Sequence, residues 1–436
     1  MKSFRIKQFI IGETNRIPQI VTSIRKESVY RSDRVSKVVS DILLRVQKDG
    51  SKALLELVNR FDGSEFGNES ELIVKTSEIE EAYSMLNQED IRALRESYLQ
   101  VKWLARKQMR RFVERKILSP LGFEIEERYA PLSRVGGYIP GGLASYPSTV
   151  AMICAPARAA GVKEIVIATP AQGGQINPSV LVAADICGAD VIIRAGGAQA
   201  IGALAFGTKL TKGVDLICGP GNEYVTEAKR QIQSRGIADI DSLAGPTELL
   251  VIADSLADSK FVFEDIVSQA EHGNRTLCGV VTDSDKIIND LLLFFKGISN
   301  RPRYTSISQS LIFIVKATSM KSAFEFAEAF APEHLELMTK NKSQRRVSRA
   351  GLVLLGRFTP CSAADYIVGT NHILPTAGNA SKKAGLSVET FLKRVTTIRG
   401  TKKSLERSSN YISSLSKLEG LPNHGLAATA RLGRKN

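Results

Sequence analysis

Hydrophobic residues recur at intervals of three and four positions through the first quarter of the chain. Residues 33–63 and 77–114 follow this spacing, and Gly50 and Gly63 fall where it is interrupted or ends. Apolar residues at these intervals lie along one face of an α-helix, and glycine favours helix ends. The pattern therefore predicts a helical segment over residues 30–115.

From about residue 136 the pattern changes to short apolar runs that alternate with helical patterns. The predicted strands are KEIVIATP, DVIIRAGG and VDLICGPGN, and the predicted helices between and after them are PSVLVAADICGA, AQAIGALAFGT and EYVTEAKRQIQSRG. Strands that alternate with helices predict an α/β fold with a parallel sheet and right-handed crossovers.

A second α/β stretch begins at about residue 249. Its predicted strands are ELLVIAD, TLCGVVTD and SLIFIVKA, with a helix over SKFVFEDIVSQAEH. The tail from about residue 388 reads as a helix over VETFLKRVTTI, a polar linker and a helix over KKSLERSSNYISSLSKLEGL. This tail is too polar to bury a core of its own, so we expect it to pack on the body or on another subunit.

Length and composition narrow the class of protein. A chain of 436 residues predicts at least two domains, and 43% hydrophobic with 24% charged residues is typical of a soluble globular protein. The sequence contains no apolar run of about 18 residues, so no membrane helix is predicted. The first residues do not read as a signal peptide, so a cytoplasmic location is expected.

The cysteines and the charge exclude some classes of site and partner. Five scattered cysteines argue against a disulfide framework and against a cysteine zinc site. The net charge of +14 suits a polyanionic partner. Because the basic residues are dispersed and not interleaved with aromatics, we expect no nucleic-acid partner, and the positive field would instead attract an anionic cofactor.

The sequence contains three glycine-rich loops, and two of them lie where a predicted strand leads into a predicted helix. They are RVGGYIPGGLASYPST, RAGGAQAIGA and GPGNEYV. Glycines let backbone N–H groups approach a phosphate at a helix N-terminus, although one such loop is more often a tight turn. Three of them predict a crevice for a dinucleotide. The GxGxxG fingerprint is absent, so this pattern alone indicates only a phosphate-bearing ligand.

All four histidines lie beside another polar group that suits a metal or acid/base site. Gln269 and His272 are three residues apart, which places both on one face of a predicted helix, and a predicted loop carries an aspartate seven residues before the third histidine. Taken singly, each has a plain alternative: a solvated helix end, a surface turn, a turn-forming aspartate or an exposed histidine. The groups are Gln269 and His272, Glu333 and His334, Asp365 and His372, and Glu419 and His424. That every histidine belongs to such a group indicates a metal or acid/base site, but the spacing does not assign its members.

These motifs together closely resemble the histidinol dehydrogenase family. The matching segments are GGYIPGGLASYPSTV, GGAQAIGALAFGT, GPGNEYV, DIDSLAGPTE, SQAEH, APEHLEL, ADYIVGTNHILPT and EGLPNH, in the family's order over residues 30–436. The resemblance implies zinc-dependent oxidation of L-histidinol to L-histidine through an aldehyde, with two NAD reduced, as the last step of histidine biosynthesis.

The resemblance also implies an architecture. It predicts an intertwined homodimer of chains with two Rossmann-like parallel-sheet domains, a helical N-terminal segment and a small C-terminal domain. The boundaries expected on this basis are an arm over residues 1–30, a first domain over 31–137 with 249–387, a second, NAD-binding domain over 138–248, and a C-terminal domain over 388–436 that contacts the partner subunit.

Residue roles follow from the resemblance by position. The implied zinc ligands also bind substrate, and they are Gln269, His272, Asp365 and His424, the last from the partner subunit. The implied NAD contacts are Tyr138, Gln199 and Asn222. The implied further substrate contacts are Thr247, His334 and Glu419, with His372 lining the site. Glu333 and His334 match the family's acid/base pair: His334 serves as base, Glu333 activates water for the second step, and zinc holds the substrate's nitrogens as a template.

The sequence departs from the family's usual pattern at four positions. Ala364 stands where glycine is usual, Gly273 where aspartate is usual, Thr247 where serine is frequent, and Phe206 where tyrosine is usual. An alanine at a position that requires a positive φ would cost about 1 kcal/mol or more. None of the departures removes a proposed ligand or either residue of the acid/base pair.

Three alternatives to histidinol oxidation remain. The first is an enzyme of the same fold that acts on another primary alcohol such as a sulfonated diol, and Glu419 argues against it because a carboxylate suits a cationic substrate. The second is a zinc hydrolase that uses Glu333 and a metal-bound water, in which the glycine-rich loops would be plain turns. The third is a basic nucleic-acid-binding module, whose affinity would fall steeply with salt.

Overall fold

The computed structural model describes residues 5–12, 16–26, 33–141, 145–243, 245–273, 275–298, 310–340 and 347–433. The chain divides into two compact units. The larger unit comprises Met1–Lys107 with Leu132–Phe391, and the smaller unit comprises Gln108–Pro131 with Leu392–Asn436.

Strands and helices alternate through most of the described chain. In chain order the strands are β1 (Arg5–Ile11), β2 (Arg115–Leu118), β3 (Glu124–Pro131), β4 (Arg134–Tyr138), β5 (Glu164–Thr169), β6 (Val191–Arg194), β7 (Leu216–Cys218), β8 (Asp239–Ile240), β9 (Glu248–Ala253), β10 (Leu277–Thr282), β11 (Leu311–Ala317), β12 (His334–Met338), β13 (Leu352–Leu355) and β14 (Leu392–Arg399). The helices are α1 (Ile17–Arg25), α2 (Asp33–Phe61), α3 (Thr76–Met85), α4 (Gln88–Met109), α5 (Pro147–Ala160), α6 (Pro178–Cys187), α7 (Gly197–Phe206), α8 (Glu223–Ser234), α9 (Ser259–Ala270), α10 (Asp285–Ile298), α11 (Met320–Phe330), α12 (Cys361–Tyr366), α13 (Lys402–Leu418) and α14 (Pro422–Ala430).

A six-stranded sheet forms one half of the larger unit. Its described strands run in the order β1-β11-β10-β9-β12-β13, and every neighbouring pair is parallel. Apolar side chains cover both faces: α1 and α11 pack on one, and α9 and α10 pack on the other. The predicted parallel α/β architecture is confirmed here. The arm predicted over residues 1–30 supplies the edge strand β1 and the helix α1.

A five-stranded sheet forms the other half of the larger unit. Its described strands run in the order β6-β5-β4-β7-β8, again all parallel. The apolar face of α2 packs against α7 and α8, with Leu43, Leu54 and Leu204 in one buried cluster. The helical segment expected with the first domain therefore packs on the helices of the second sheet, because the apolar stripe of α2 is buried against α7 and α8.

The smaller unit contains an antiparallel sheet in the order β14-β3-β2, together with α13 and α14. The predicted helix over residues 388–398 is wrong: most of this segment is β14, which pairs along its whole length with β3. The run Val395, Thr396, Thr397 and Ile398 explains the difference, because β-branched side chains favour a strand once a partner strand is present. Residues 108–131 supply that partner, and they were not expected in this unit.

All five cysteines are buried and none forms a disulfide. Among the residues described, no helix combines the length and hydrophobicity that a membrane span requires.

A glycine in the middle of the six-stranded sheet gives a test of this packing. Gly279 pairs with Phe313 across β10 and β11, and an added Cβ at Gly279 would lie 2.1 Å from Phe313 Cε2. We expect Gly279→Ala to lower the free energy of unfolding by about 1–3 kcal/mol, because overpacking displaces a buried ring. The measurement is the urea midpoint of unfolding.

Gly297→Ala is the matched control for that substitution. Gly297 is exposed near the end of α10, and an added Cβ would have no neighbour within 4 Å among the described atoms. Alanine there should be neutral or stabilising by up to about 1 kcal/mol. Equal midpoints for the two variants would contradict the packing described for Gly279.

Candidate active site

One large cavity in the larger unit collects most of the predicted site residues. Its volume is about 1130 Å³. The five-stranded sheet contributes the carboxyl end of β4 and the loop after β7, whereas β9 and β12 of the six-stranded sheet contribute their amino ends. The predicted residues that line it are Tyr138, Asn222, Thr247, Gln269, His272, Glu333, His334, Asp365 and His372.

His334 is the first residue of β12 and is almost completely buried, with 3% of its surface exposed. Its Nδ1 lies 3.8 Å from Glu333 Oε2, and its Nε2 lies 3.7 Å from Asp365 Oδ1. Neither ring nitrogen has a hydrogen-bond partner among the described residues. Burial lowers the pKa of His334 to about 3, and the neighbouring His372 adds to this effect. The imidazole is therefore neutral and can accept a proton.

Glu333 is held by the strand next to its own. Its Oε2 accepts a hydrogen bond of 2.9 Å from the backbone N–H of Glu248, the first residue of β9. Burial raises the pKa of Glu333 well above its ordinary value, and the charges of Glu248 and Asp365 raise it further. Arg25 pairs with Glu248 at 2.6 Å and so places a positive charge behind the two carboxyl groups. A carboxyl group with a raised pKa is suited to proton transfer near neutral pH.

Gln269 and Asp365 form a buried oxygen-rich cluster. Gln269 Nε2 donates to Asp365 Oδ2 at 3.2 Å, which leaves Gln269 Oε1 buried with no hydrogen-bond partner among the described residues. Burial raises the pKa of Asp365 to about 6. His272 lies in the turn just after α9, not on the helix face as predicted, because α9 ends at Ala270. It remains exposed and lines the same cavity.

Asp365 lies on the short helix α12 rather than on the predicted loop. Ala364 is in the same helix, and it is not among the residues with positive φ, so alanine causes no backbone strain there. The pattern of small residues suggested a loop, but Pro360 is the N-cap of a short helix that begins at Cys361.

Cys361 is a residue that sequence reasoning set aside. Potential ligand atoms of His334, Cys361 and Asp365 all lie within 4.8 Å of one another, and all three residues are buried. The signal in the sequence was the spacing: Cys361 is four residues before Asp365, one helical turn away. The cysteine therefore lies at the site, although burial raises its pKa and keeps it a thiol.

His372 connects two elements at the cavity wall. Its Nδ1 lies 2.9 Å from the backbone oxygen of Asp365, and its Nε2 lies 3.2 Å from Thr149 Oγ1 in α5. Burial lowers the pKa of His372 to about 4. Both nitrogens are thus in contact with the protein, and the ring is placed to orient α12.

Two of the predicted cofactor residues, Tyr138 at the end of β4 and Gln199 in α7, have hydrogen bonds at or near the start of α7. Gly197 N–H donates to the hydroxyl of Tyr138 at 3.2 Å, and Gln199 Nε2 donates to Asp62 Oδ1 at 3.3 Å. Asp62, which sequence reasoning missed, also accepts from Gly196 N–H at 2.7 Å, and burial raises its pKa to about 6. Gln199 is buried and is not among the described residues that line the cavity.

Asn222 is the N-cap of α8. Its Oδ1 accepts from the backbone N–H groups of Tyr224 and Val225 at 3.0 and 3.1 Å. The side-chain oxygen is thus occupied, while the side chain as a whole is exposed in the cavity.

Glu419 and His424 lie in the smaller unit. Glu419 follows the end of α13, His424 lies in the first turn of α14, and both side chains are exposed. The described residues that line the cavity all belong to the larger unit.

The arrangement combines three chemical functions in one cavity. A neutral imidazole and a carboxyl group with a raised pKa can move protons. Amide, imidazole and carboxylate donors within one wall suit a divalent ion such as zinc. The glycine-rich loops at strand ends suit a phosphate-bearing cofactor.

Comparison with known proteins places this geometry in a family. A family model described as histidinol dehydrogenase matches residues 25–432. Histidinol dehydrogenase of Methanococcus maripaludis is 39% identical over 400 residues, covering 90% of this chain and 92% of that protein. The histidinol dehydrogenase of Prochlorococcus marinus subsp. pastoris is 38% identical over 438 residues, covering 99% of each chain. The crystal structure of histidinol dehydrogenase from Elizabethkingia anophelis matches with a TM-score of 0.90 and 32% identity, covering 99% of this chain and 98% of that one.

Proposed function

The chain belongs to the histidinol dehydrogenase family, and we propose that it oxidises L-histidinol to L-histidine through L-histidinal with the reduction of two NAD, in the last step of histidine biosynthesis. The observation that carries this proposal is the environment of His334. Its ring is buried, and neither ring nitrogen has a hydrogen-bond partner among the described residues. The carboxyl groups of Glu333 and Asp365 flank the ring.

The two oxidations and the hydration between them require proton transfers that this pair can perform. In the first, His334 accepts the hydroxyl proton of the alcohol. The aldehyde must then add water before it is oxidised again: Glu333 accepts a proton from that water, and the protonated His334 gives its proton to the aldehyde oxygen, which leaves the imidazole neutral. His334 serves again as base in the second oxidation. General-base catalysis of this kind contributes about 10²–10⁴ in rate.

The residues at the cavity wall fit a zinc ion. Gln269 Oε1 is a buried oxygen without a hydrogen-bond partner among the described residues, and Asp365 and His272 face the same cavity. We propose that Gln269, His272 and Asp365 hold the ion, with His424 of a second chain as the fourth ligand. When bound, zinc orients the amine and imidazole nitrogens of the substrate and acts mainly as a template. Thr247 and Glu419 are proposed to contact the substrate.

The glycine-rich strand ends fit a dinucleotide. Gly219 has φ +115°, and an added Cβ would lie 2.1 Å from Tyr138 O, so only glycine allows this close approach of two backbones. NAD supplies the hydride acceptor when bound. We propose that Tyr138 and Asn222 contact it directly and that Gln199, held by Asp62, supports the loop before α7.

A homodimer is part of the proposal because the smaller unit carries two of the proposed site residues on an exposed surface. Glu419 and His424 are both exposed, and α13 and the turn before α14 also expose apolar side chains including Leu415, Leu418 and Leu421. An exposed apolar surface beside polar site residues is typical of a subunit contact.

Removing the metal tests the proposed reaction. With zinc-loaded protein, about two NADH should form per L-histidinol consumed, because each two-electron oxidation reduces one NAD. Chelation should abolish NADH formation, and added zinc should restore it. The measurement is NADH absorbance against substrate consumed, with NADH binding recorded separately as a control. Full activity without metal would contradict the zinc role. Protein that binds zinc and NADH but forms no NADH from histidinol would shift the proposal to another primary alcohol.

A further inference from the structure

A buried lysine lies under the loop proposed to bind the cofactor. Lys229 is in α8 and is only 1% exposed. Its Nζ pairs with the carboxylate of Asp241, whose side chain is 4% exposed, and also donates to the backbone oxygen of Gly219 at 3.0 Å. Lysine is almost never fully buried unless its charge is paired. The position of this pair therefore needs an explanation.

Asp241 holds the same glycine from the other side. Its Oδ2 accepts a hydrogen bond of 2.8 Å from Gly219 N–H, and its Oδ1 accepts from Ser242 N–H at 2.5 Å. The two charged residues thus bond both backbone polar groups of Gly219: the N–H group to Asp241 and the carbonyl group to Lys229.

Gly219 begins the segment that ends at the proposed cofactor contact Asn222. The backbone of Gly219 lies against that of Tyr138, the other proposed contact, and its φ of +115° is one that favours glycine. At the far end of the segment, Asn222 caps α8 through Tyr224 and Val225. The segment 219–222 is therefore fixed at both ends, by the Lys229–Asp241 pair and by the cap.

We propose that Lys229 and Asp241 are positioning residues for the dinucleotide. They hold segment 219–222 in the conformation that presents Asn222 and the backbone to the cofactor, and they do so without contact, since neither is among the described residues that line the cavity. This inference rests on the proposed NAD dependence. A buried ion pair often stabilises a fold no more than an apolar pair would, so its benefit here is one defined loop conformation.

Equilibrium binding of NADH to the full chain tests this role. Lys229→Met alone leaves a buried carboxylate unpaired and risks unfolding. The informative variant is therefore the double substitution Lys229→Met with Asp241→Asn, which removes both charges and the Nζ bond to Gly219. The matched control is Arg134→Met. Arg134 also forms an ion pair in this sheet, with Glu164. That pair lies at the amino ends of β4 and β5, whereas segment 219–222 follows the carboxyl end of β7.

The double variant should bind NADH about tenfold or more weakly than the wild type, as the loss of charge-assisted hydrogen bonds at the loop implies. Its KM for NAD should rise while its KM for histidinol stays close to the wild-type value. Arg134→Met should bind NADH as the wild type does, even if its melting temperature falls by as much as that of the double variant.

Three outcomes would overturn the inference. They are wild-type NADH affinity in the double variant, an equal loss of affinity in Arg134→Met, or equal rises in both KM values. A wild-type chain that binds no NADH at all would instead overturn the proposed function, and this role with it. The binding titration of the wild type therefore separates the two failures.

Discussion

Replacing His334 with asparagine is expected to lower kcat for histidinol oxidation by about 10²–10⁴, the usual contribution of a general base. Asparagine keeps a polar side chain of similar reach but cannot accept a proton near neutral pH. His334 is 3% exposed and its ring nitrogens face Glu333 and Asp365, so no solvent base can easily replace it. The measurement is steady-state NADH formation with saturating histidinol and NAD.

Glu336→Gln is the matched control for His334→Asn. Glu336 is also a buried titratable residue of β12, two residues farther along, and it does not line the cavity. Its Oε1 accepts a hydrogen bond of 2.9 Å from Cys361 N–H, and glutamine retains that oxygen. We expect Glu336→Gln to keep kcat within about twofold of wild type, as substitutions that retain a buried hydrogen bond usually do.

Two results would argue against His334 as the base. The first is a kcat for His334→Asn within a few-fold of wild type. The second is an equal loss in Glu336→Gln, which would indicate that any disturbance of β12 inactivates the site. Zinc content and NADH affinity of each variant should be measured in parallel, because a loss of either would explain low activity without a role for the imidazole.

Mixing two inactive chains is expected to restore activity if His424 serves the partner's site. The chains are His424→Ala and Glu333→Ala, each nearly inactive alone. In a heterodimer, the site that keeps Glu333 receives the intact His424 of the other chain, so one of two sites is complete. Random exchange of equal amounts should then give about a quarter of wild-type activity, since half of the dimers are mixed and each has one working site.

A site that is completed by His424 of the same chain predicts the opposite result. If His424 served its own subunit's site, each site of the heterodimer would lack either His424 or Glu333, and no activity would return. Heterodimer formation must be shown independently, for example by two affinity tags purified in series. Mixed dimers without activity would contradict the proposal that His424 serves the partner's site, and they would leave the other proposed site residues unaffected.

The local elements of the α/β body followed from the sequence because their signals are local. The apolar runs at residues 164–169 and 277–282 form β5 and β10, and the helical patterns between strands form α6, α7 and α8. The failure at residues 388–398 has a physical cause: β14 exists through its hydrogen bonds with β3, about 265 positions earlier in the chain. No local pattern contains that partner.

The types of residue at the site were also determined by the sequence. Four histidines, each beside a carboxylate or amide, and three glycine-rich loops indicated acid/base or metal chemistry with a phosphate-bearing ligand, and the family resemblance gave each residue a role. Asp62 was missed because it becomes a neighbour of the site only after folding, through its contact with Gly196. Cys361 was missed because the stretch that it shares with Asp365 was interpreted as a loop, whereas it forms a helix that places the two residues one turn apart.

Only the tertiary structure decided which groups are buried together and what that does to their protons. Glu333 and Glu248 are 85 positions apart in the chain, yet one carboxyl group accepts a hydrogen bond from the backbone of the other residue. Parallel pairing of β9 with β12 brings them together, and the loss of water at that point raises the pKa of Glu333 and lowers that of His334. Desolvation depends on everything packed around a group, so a sequence can name the acid and the base but cannot state how easily either holds its proton.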